Sequence, residues 1–489
     1  MLEEHPKTRQ LITLLSSVSL ALSAGTNYAF SIYSVQLGHR LHLSATSLNA
    51  IGMAGNLGMY ISSPFVGRII DRYGPTVPLL GAGTLITMGY GILWLLFRTP
   101  SLLPLVFVQT FVGNLFAGLG SSIANSCAIT GTASVFEPAH RATAIGTVLA
   151  GFGLSAFFWT AIGSHIAQSD TAVLLALLSI GPSLAILLGA SGYRLVGIGR
   201  HTHSTSAHQD QPPSDYRQSA EDSRLLPVKK PLEITGWDLV KQPDFWMIWI
   251  VMSCCCGTGL MIINNLGTML VAIYGPIPTD SPDQTVRIYQ AHAVSVLSIF
   301  NCTGRIFAGT LSDLVKRRLM IGRVWWLSWI SSLFLLSQLL GYYVVGDLDH
   351  VVWLGALVGF AYGNMYGAGP ALVLEWFGLR HFATNFGLLN LAPLFCGQLF
   401  NLSFGKIFDR HSRPVSSPAD DHRLVCVDRQ GCYQAAFLIT ICSALLSLSL
   451  SISLGFRRSE FPSTHPKSNS KSRDDDESAP ILRSSTDDL

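Results

Sequence analysis

Twelve apolar runs, each long enough to cross a bilayer, set the first constraint on this chain. They lie at about 11–37, 46–69, 76–97, 103–131, 143–167, 171–193, 245–273, 288–311, 323–345, 350–374, 382–406 and 433–455. A membrane helix needs roughly 20 mostly apolar residues. In lipid each backbone N–H and C=O must find its partner within the protein. The expected fold is therefore an all-α membrane protein of twelve transmembrane helices. Composition agrees. Of the 489 residues 49% are hydrophobic and only 12% charged, with a mean hydropathy of +0.40, whereas soluble chains carry about 25% charged residues. The N-terminus is polar (Glu3, Glu4, Lys7, Arg9) and the first run is of full-span length, so no cleavable signal peptide is expected.

Six runs precede and six follow the polar stretch 194–244, which includes HTHSTSAHQDQPPSDYRQSAEDSRLLPVKKP. Such a composition cannot bury a core, so the expected organisation is a six-helix bundle at 1–193, a disordered cytosolic linker at 194–244, a second bundle at 245–456 and a disordered cytosolic tail at 457–489. The halves also share motifs. Gly67-x-x-x-Asp71-Arg72-x-Gly74 is repeated 242 residues later as Gly309-x-x-x-Asp313, followed by Lys316, Arg317 and Arg318. Phe136-x-x-x-His140-x-Ala142-Thr143-x-x-Gly146 recurs as Phe377-x-x-x-His381-x-Ala383-Thr384-x-x-Gly387. Repeats at matching positions of two six-span halves are the mark of a duplicated, pseudo-symmetric carrier. Basic residues concentrate in the linker and in the loops holding Arg72, Arg141, Lys316–Arg318, Arg323 and Arg380, which puts both termini in the cytosol.

The sequence GRIIDRYG at 67–74 resembles the loop 2–3 signature of the major facilitator superfamily, and 309–318 resembles its loop 8–9 copy. The resemblance covers nearly the whole chain and implies two bundles rocking about a central cavity. It makes Gly67, Asp71, Arg72, Gly309, Asp313, Lys316 and Arg317 gating residues; the other reading is that they serve topology alone. Within the superfamily, Gly25-Thr26-Asn27-Tyr28-x-Phe30-x-x-Tyr33-Ser34 and Ala54-Gly55-Asn56-Leu57-Gly58 resemble the nodulin-like branch and the fungal monocarboxylate-transporter homologues. That likeness implies the vacuolar membrane, with the plasma membrane as the alternative.

Charge inside a membrane is expensive and commonly functional. Arg305 lies eight residues before Asp313, roughly 12 Å deeper along a helix. A guanidinium there can clamp a carboxylate with two parallel hydrogen bonds. Monocarboxylate carriers have an Asp-x-x-x-Arg pair in this helix; here the arginine is Arg305 and the aspartate position is Asn301. The acidic residue that the branch carries before the span-one glycine is also replaced, since Ser23 and Ala24 precede Gly25. A proton-coupling carboxylate is thus missing, while an anionic substrate fits. The candidate substrate residues are Arg305, Asn301, Asn27, Tyr28, Tyr33, Asn264 and Asn265, the last two lying in the span that mirrors the first. Against this, Arg305 can be a structural cation held by helix carbonyls, and intramembrane asparagines more often join helices.

Three smaller signals remain. Glu221-x-x-x-Leu225-Leu226 in the linker looks like an acidic-dileucine sorting signal that an adaptor complex reads, with Glu477-x-x-x-Ile481-Leu482 a weaker version. Cys426 and Cys432 share the long outer loop 407–432 and form a candidate disulfide; two free thiols are the alternative. No GxxxxGK[ST], metal cluster or catalytic constellation is present, so no cofactor, metal site or enzyme is expected, and a net charge of +3 does not point to nucleic acid. The reading is a secondary transporter of a small solute, a monocarboxylate or other organic anion, embedded in the lipid bilayer, with a coupling proton as an open question. The alternatives are a transporter-fold receptor or scaffold, or a carrier of a metal or an amino acid.

Overall fold

The computed structural model describes residues 6–41, 43, 45–99, 105–138, 140–167, 170–198, 234–274, 284–319, 321–417, 420–426 and 428–459. The first run is interrupted. Helix α1 (Pro6–Ala24) passes through a 3₁₀ turn at Gly25–Ala29 into α2 (Phe30–Leu41). Gly25, Thr26 and Asn27 are weak helix formers, and a tighter winding over a few residues is the usual result. The first bundle continues with α3 (Ala45–Tyr73), α4 (Pro78–Arg98), α5 (Val106–Val135), α6 (Arg141–Ala167) and α7 (Thr171–Val196).

A short α8 (Trp237–Val240) leads into the second bundle. It comprises α9 (Pro243–Tyr274), α10 (Gln284–Leu319), α11 (Val324–Tyr343), α12 (Leu348–Phe377), α13 (Phe382–Leu389), α14 (Ala392–His411) and α15 (Gly431–Ser459). Ten helical runs among the described residues are long and apolar enough to cross a membrane, with 382–408 counted as one. The other two, 6–41 and α3, are diluted by Ser, Thr, Asn and Gly. Over their described residues the twelve expected runs are thus helical, the first broken by the 3₁₀ turn and 382–406 by a turn at Asn390–Leu391.

The two halves pack by one plan. In the first, α1 lies against α5, α6 and α7, and α3 and α4 flank α5; in the second, α9 lies against α14 and α15, and α10 against α12. The bundles meet where α6 crosses α10 and α12, and where α3 crosses α13. An apolar layer continues through this junction, joining Ile145 and Leu149 of the first half to Met252 and Leu372 of the second.

Two polar regions differ from the sequence expectation. The stretch 407–432 is not all loop: α14 extends to His411, and β1 (Ser412–Ser417) pairs antiparallel with β2 (Asp420–Cys426). Outside lipid, the unpaired edges of a two-stranded ribbon can be hydrated, so the ban on open strands does not apply. The ends of 194–244 are also ordered. Helix α7 runs to Val196, and the Ile234 amide bonds to the Phe377 carbonyl at 3.4 Å while Asn385 donates to the Ile234 carbonyl at 2.8 Å. Glu221, Leu225 and Leu226, with the tail 460–489, lie outside the described residues.

Candidate functional site: a crossed contact and a buried arginine

At the end carrying the basic loops, the two repeats prove to be partners. The Asp71 carboxylate, at the close of α3, accepts hydrogen bonds from the amides of Ala383 (3.1 Å) and Thr384 (2.8 Å) and from the Thr384 hydroxyl (2.5 Å). Asp313, near the close of α10, accepts from the Thr143 amide (2.9 Å) and hydroxyl (2.7 Å). Each half's aspartate therefore sits at the amino end of a helix in the other half, where unpaired N–H groups and the helix dipole favour an anion.

The glycines make the crossing close enough. A Cβ on Gly67 would overlap the Ala383 carbonyl; one on Gly309 would lie 2.7 Å from the Ala142 oxygen and 3.1 Å from the Gly146 Cα. Gly74 ends α3 in the left-handed region, φ 77°, with its amide on the Ile70 carbonyl at 2.8 Å. The second copy has Lys316 at the equivalent position, and α10 runs on to Leu319.

The Asp313 side is more heavily charged. Buried Arg323, in the link from α10 to α11, pairs with both Asp313 and Glu375, and Lys316 reaches Glu375 at 2.5 Å. Burial pulls the Arg323 guanidinium below its ordinary pKa, and the Asp313 carboxylate opposes that. Arg317 donates to the Asp313 carbonyl at 3.3 Å. Arg72, by contrast, is exposed and rests on the Tyr73 ring at 5.3 Å.

Two turns deeper, Arg305 is 1% exposed. Its Nε donates to Asn301 Oδ1 at 3.0 Å, and its Nη1 donates to the Leu149 carbonyl at 2.9 Å. Leu149 belongs to α6, so this bond joins the bundles. The guanidinium also lies between two rings, Phe152 of α6 at 5.0 Å and Tyr366 of α12 at 5.3 Å, an arrangement in which ring quadrupoles attract a cation. Gly153 leaves room for it: a Cβ there would stand 3.4 Å from Arg305 Nε. Among the described residues no carboxylate bonds to the guanidinium.

Beside it is a cavity of about 10 Å³, lined by Tyr28, Tyr60, Asn125, Phe152, Arg305 and Tyr366 among others. That is room for about one water molecule and too little for a solute. Tyr60 and Tyr362 approach across the junction, hydroxyl to hydroxyl, at 3.5 Å. Asn125 Oδ1 is buried with no hydrogen-bond partner among the described residues.

Of the residues expected at a substrate site, Arg305, Asn301 and Tyr28 come together. The others do not. Asn27 donates to the Gly55 carbonyl of α3 at 3.4 Å. Tyr33 is buried in the first bundle against Phe30, ring centroids 5.4 Å apart. Asn264 and Asn265 both donate to Asn401 Oδ1, at 3.3 and 2.9 Å, and tie α9 to α14. Phe152 and Tyr60 escaped sequence reasoning, although Gly151-Phe152-Gly153 offered a signal: an aromatic between two small residues is free to reach across a helix crossing. Cys432 is disulfide-bonded; the side chain of Cys426 lies outside the described residues.

Comparison with known proteins fits this geometry. Residues 15–321 match the family model described as the Major Facilitator Superfamily. The chain is similar to the "Probable transporter MCH1" of Gibberella zeae, with 25% identity over 89% of this chain and 88% of that protein. It is similar to the "Oxalate:formate antiporter" of Oxalobacter formigenes at 23% identity, over 78% of this chain and 80% of that one. In fold it is similar to the crystal structure of the transporter FucP, with a TM-score of 0.57 at 12% identity, covering 91% of this chain and 98% of that one. The family model spans well over half of the sequence and the helices form the matching two-bundle fold, so this chain belongs to the Major Facilitator Superfamily: it is a multi-pass membrane transporter, not an enzyme.

Proposed function

We propose that this transporter carries a small organic anion, a monocarboxylate among the candidates, by alternating access, with Arg305 as the anion ligand. The observation that carries the reading is the guanidinium buried at the bundle junction, held, among the described residues, by neutral groups only and beside a small cavity. A substrate carboxylate supplies the missing negative charge. The relative named as an oxalate:formate antiporter supports an anionic solute. The crossed Asp71 and Asp313 contacts act as the cytosolic gate, closed in this structure and opened when α3 leaves α13 and α6 leaves α10.

The linker signal Glu221–Leu226 directs the protein to the vacuolar membrane, as the fungal resemblance implies, and the Cys432 disulfide closes locally on Cys426. A second reading has its own support: the Leu149 bond makes Arg305 a structural pin between bundles. Uptake by proteoliposomes from a panel of labelled anions, neutral solutes and cations separates the two. The carrier reading expects anions alone to move, and only while Arg305 is present. If Arg305→Ala moves the same solutes at the wild-type rate, Arg305 is a pin.

A further inference from the structure

Nothing in the described protein neutralises Arg305. Its hydrogen-bond partners are an amide oxygen, Asn301 Oδ1 at 3.0 Å, and a backbone carbonyl, Leu149 at 2.9 Å. Asp313, the acid nearest along the helix, is roughly 12 Å away at 1.5 Å per residue and is already held by Thr143 and Arg323. The titratable side chains that do surround the guanidinium are the phenols of Tyr28, Tyr362 and Tyr366 and the thiol of Cys302, with Cys256 next to them. Phenols and thiols are ordinarily neutral near pH 7. The site thus holds one fixed positive charge and no acid that can load or release a proton.

On the anion-carrier reading above, we propose that the site takes a fully ionised anion without a proton, and that the protein works as an anion exchanger. A lone buried cation is costly in a low-dielectric interior, while a paired one is much less so. With an anion on the guanidinium, the bundles rock around a neutral pair. Without one, the guanidinium must make the crossing with only a carbonyl and an amide for company. The Leu149 carbonyl comes from the opposite bundle, so the empty site is also pinned across the junction; an arriving anion takes over Nη1 and frees that bond. Rocking is therefore fast when loaded and slow when empty, which is exchange. Asn301 sets this behaviour. A carboxylate at its position, 3.0 Å from Nε, would pair with Arg305 permanently and admit an anion only together with a proton.

The test uses the full chain in proteoliposomes with labelled pyruvate outside, corrected for protein-free vesicles. Vesicles preloaded with unlabelled pyruvate are expected to take up label at least about tenfold faster than vesicles preloaded with mannitol. An inward proton gradient should leave the wild-type rate unchanged. Asn301→Asp should lower uptake at neutral pH and make it rise with an inward proton gradient. Equal uptake by both kinds of vesicle, or acceleration of the wild type by the proton gradient, overturns exchange while leaving the anion carrier intact. Absent or Arg305-independent uptake of pyruvate and of every other anion of the panel instead overturns the carrier reading and exchange with it.

Discussion

Replacing Asp313 by Asn tests the crossed contact most sharply, because it removes a charge and almost no volume. The carboxylate accepts two bonds from Thr143 and pairs with Arg323, which is 8% exposed. Hydrogen bonds to a charged group contribute about 1.5–3 kcal/mol each, and leaving one partner of a buried ion pair costs about 3–5 kcal/mol. Arg323 sits in the same bundle as Asp313 and keeps Glu375, so its loss is common to both states; Asn keeps one acceptor for Thr143, so the contact between bundles loses about one such bond, about 2 kcal/mol. The Thr143 bonds exist only while α6 and α10 are together, so the loss falls mainly on the closed state. At about 1.4 kcal/mol per tenfold, the closed-to-open ratio at this end falls by about 30-fold.

Spin labels at Val77 and Ile321, both exposed and on opposite bundles at the basic-loop end, report the ratio by double electron–electron resonance. A new long-distance population should appear in Asp313→Asn and be absent from the wild type. Identical distance distributions, with the variant folded, would refute the assignment of Asp313 to holding the bundles together.

Three further outcomes follow from the same geometry. Gly67→Val should drive a wedge between α3 and α13; overpacking costs about 1–3 kcal/mol, and the same spin-label pair should shift toward long distances. Asn265→Leu should leave Asn401 short of a partner between α9 and α14, at a cost of about 1 kcal/mol; the melting temperature should fall while the KM for the transported anion stays put, and a changed KM would return Asn265 to the substrate site. Changing Leu225 and Leu226 together to Ala should move a fluorescently tagged protein from the vacuolar to the plasma membrane, and an unaltered distribution would remove the sorting role.

Particular residues show what a sequence can reveal here. The helical spans were readable because lipid leaves the backbone no other choice, and apolar length is a property of composition alone. The two repeats were also plain, but not that they pair crosswise. Asp71 meets Thr384, and Asp313 meets Thr143, because α3 and α10 cross helices of the opposite half, and that crossing is set by packing. Arg305 announced itself as a charge in an apolar run. Its main cross-bundle partner could not, since the Leu149 carbonyl is backbone and every residue has one. For Asn264 and Asn265 the sequence carries no measure of helix rotation; α9 sets both against Asn401. Phe152 was hidden among many aromatics until α6 placed it over the guanidinium.

The central claim is that Arg305 binds the transported anion, and pyruvate uptake by wild type, Arg305→Ala and Arg305→Lys in matched proteoliposomes tests it most directly. Losing both charge-assisted bonds is worth at least about 3 kcal/mol, so Arg305→Ala should fall by more than about 100-fold. Arg305→Lys keeps the charge without the planar fork and should lie between the two. Equal rates from all three proteins, with equal amounts in the membrane, would contradict the account.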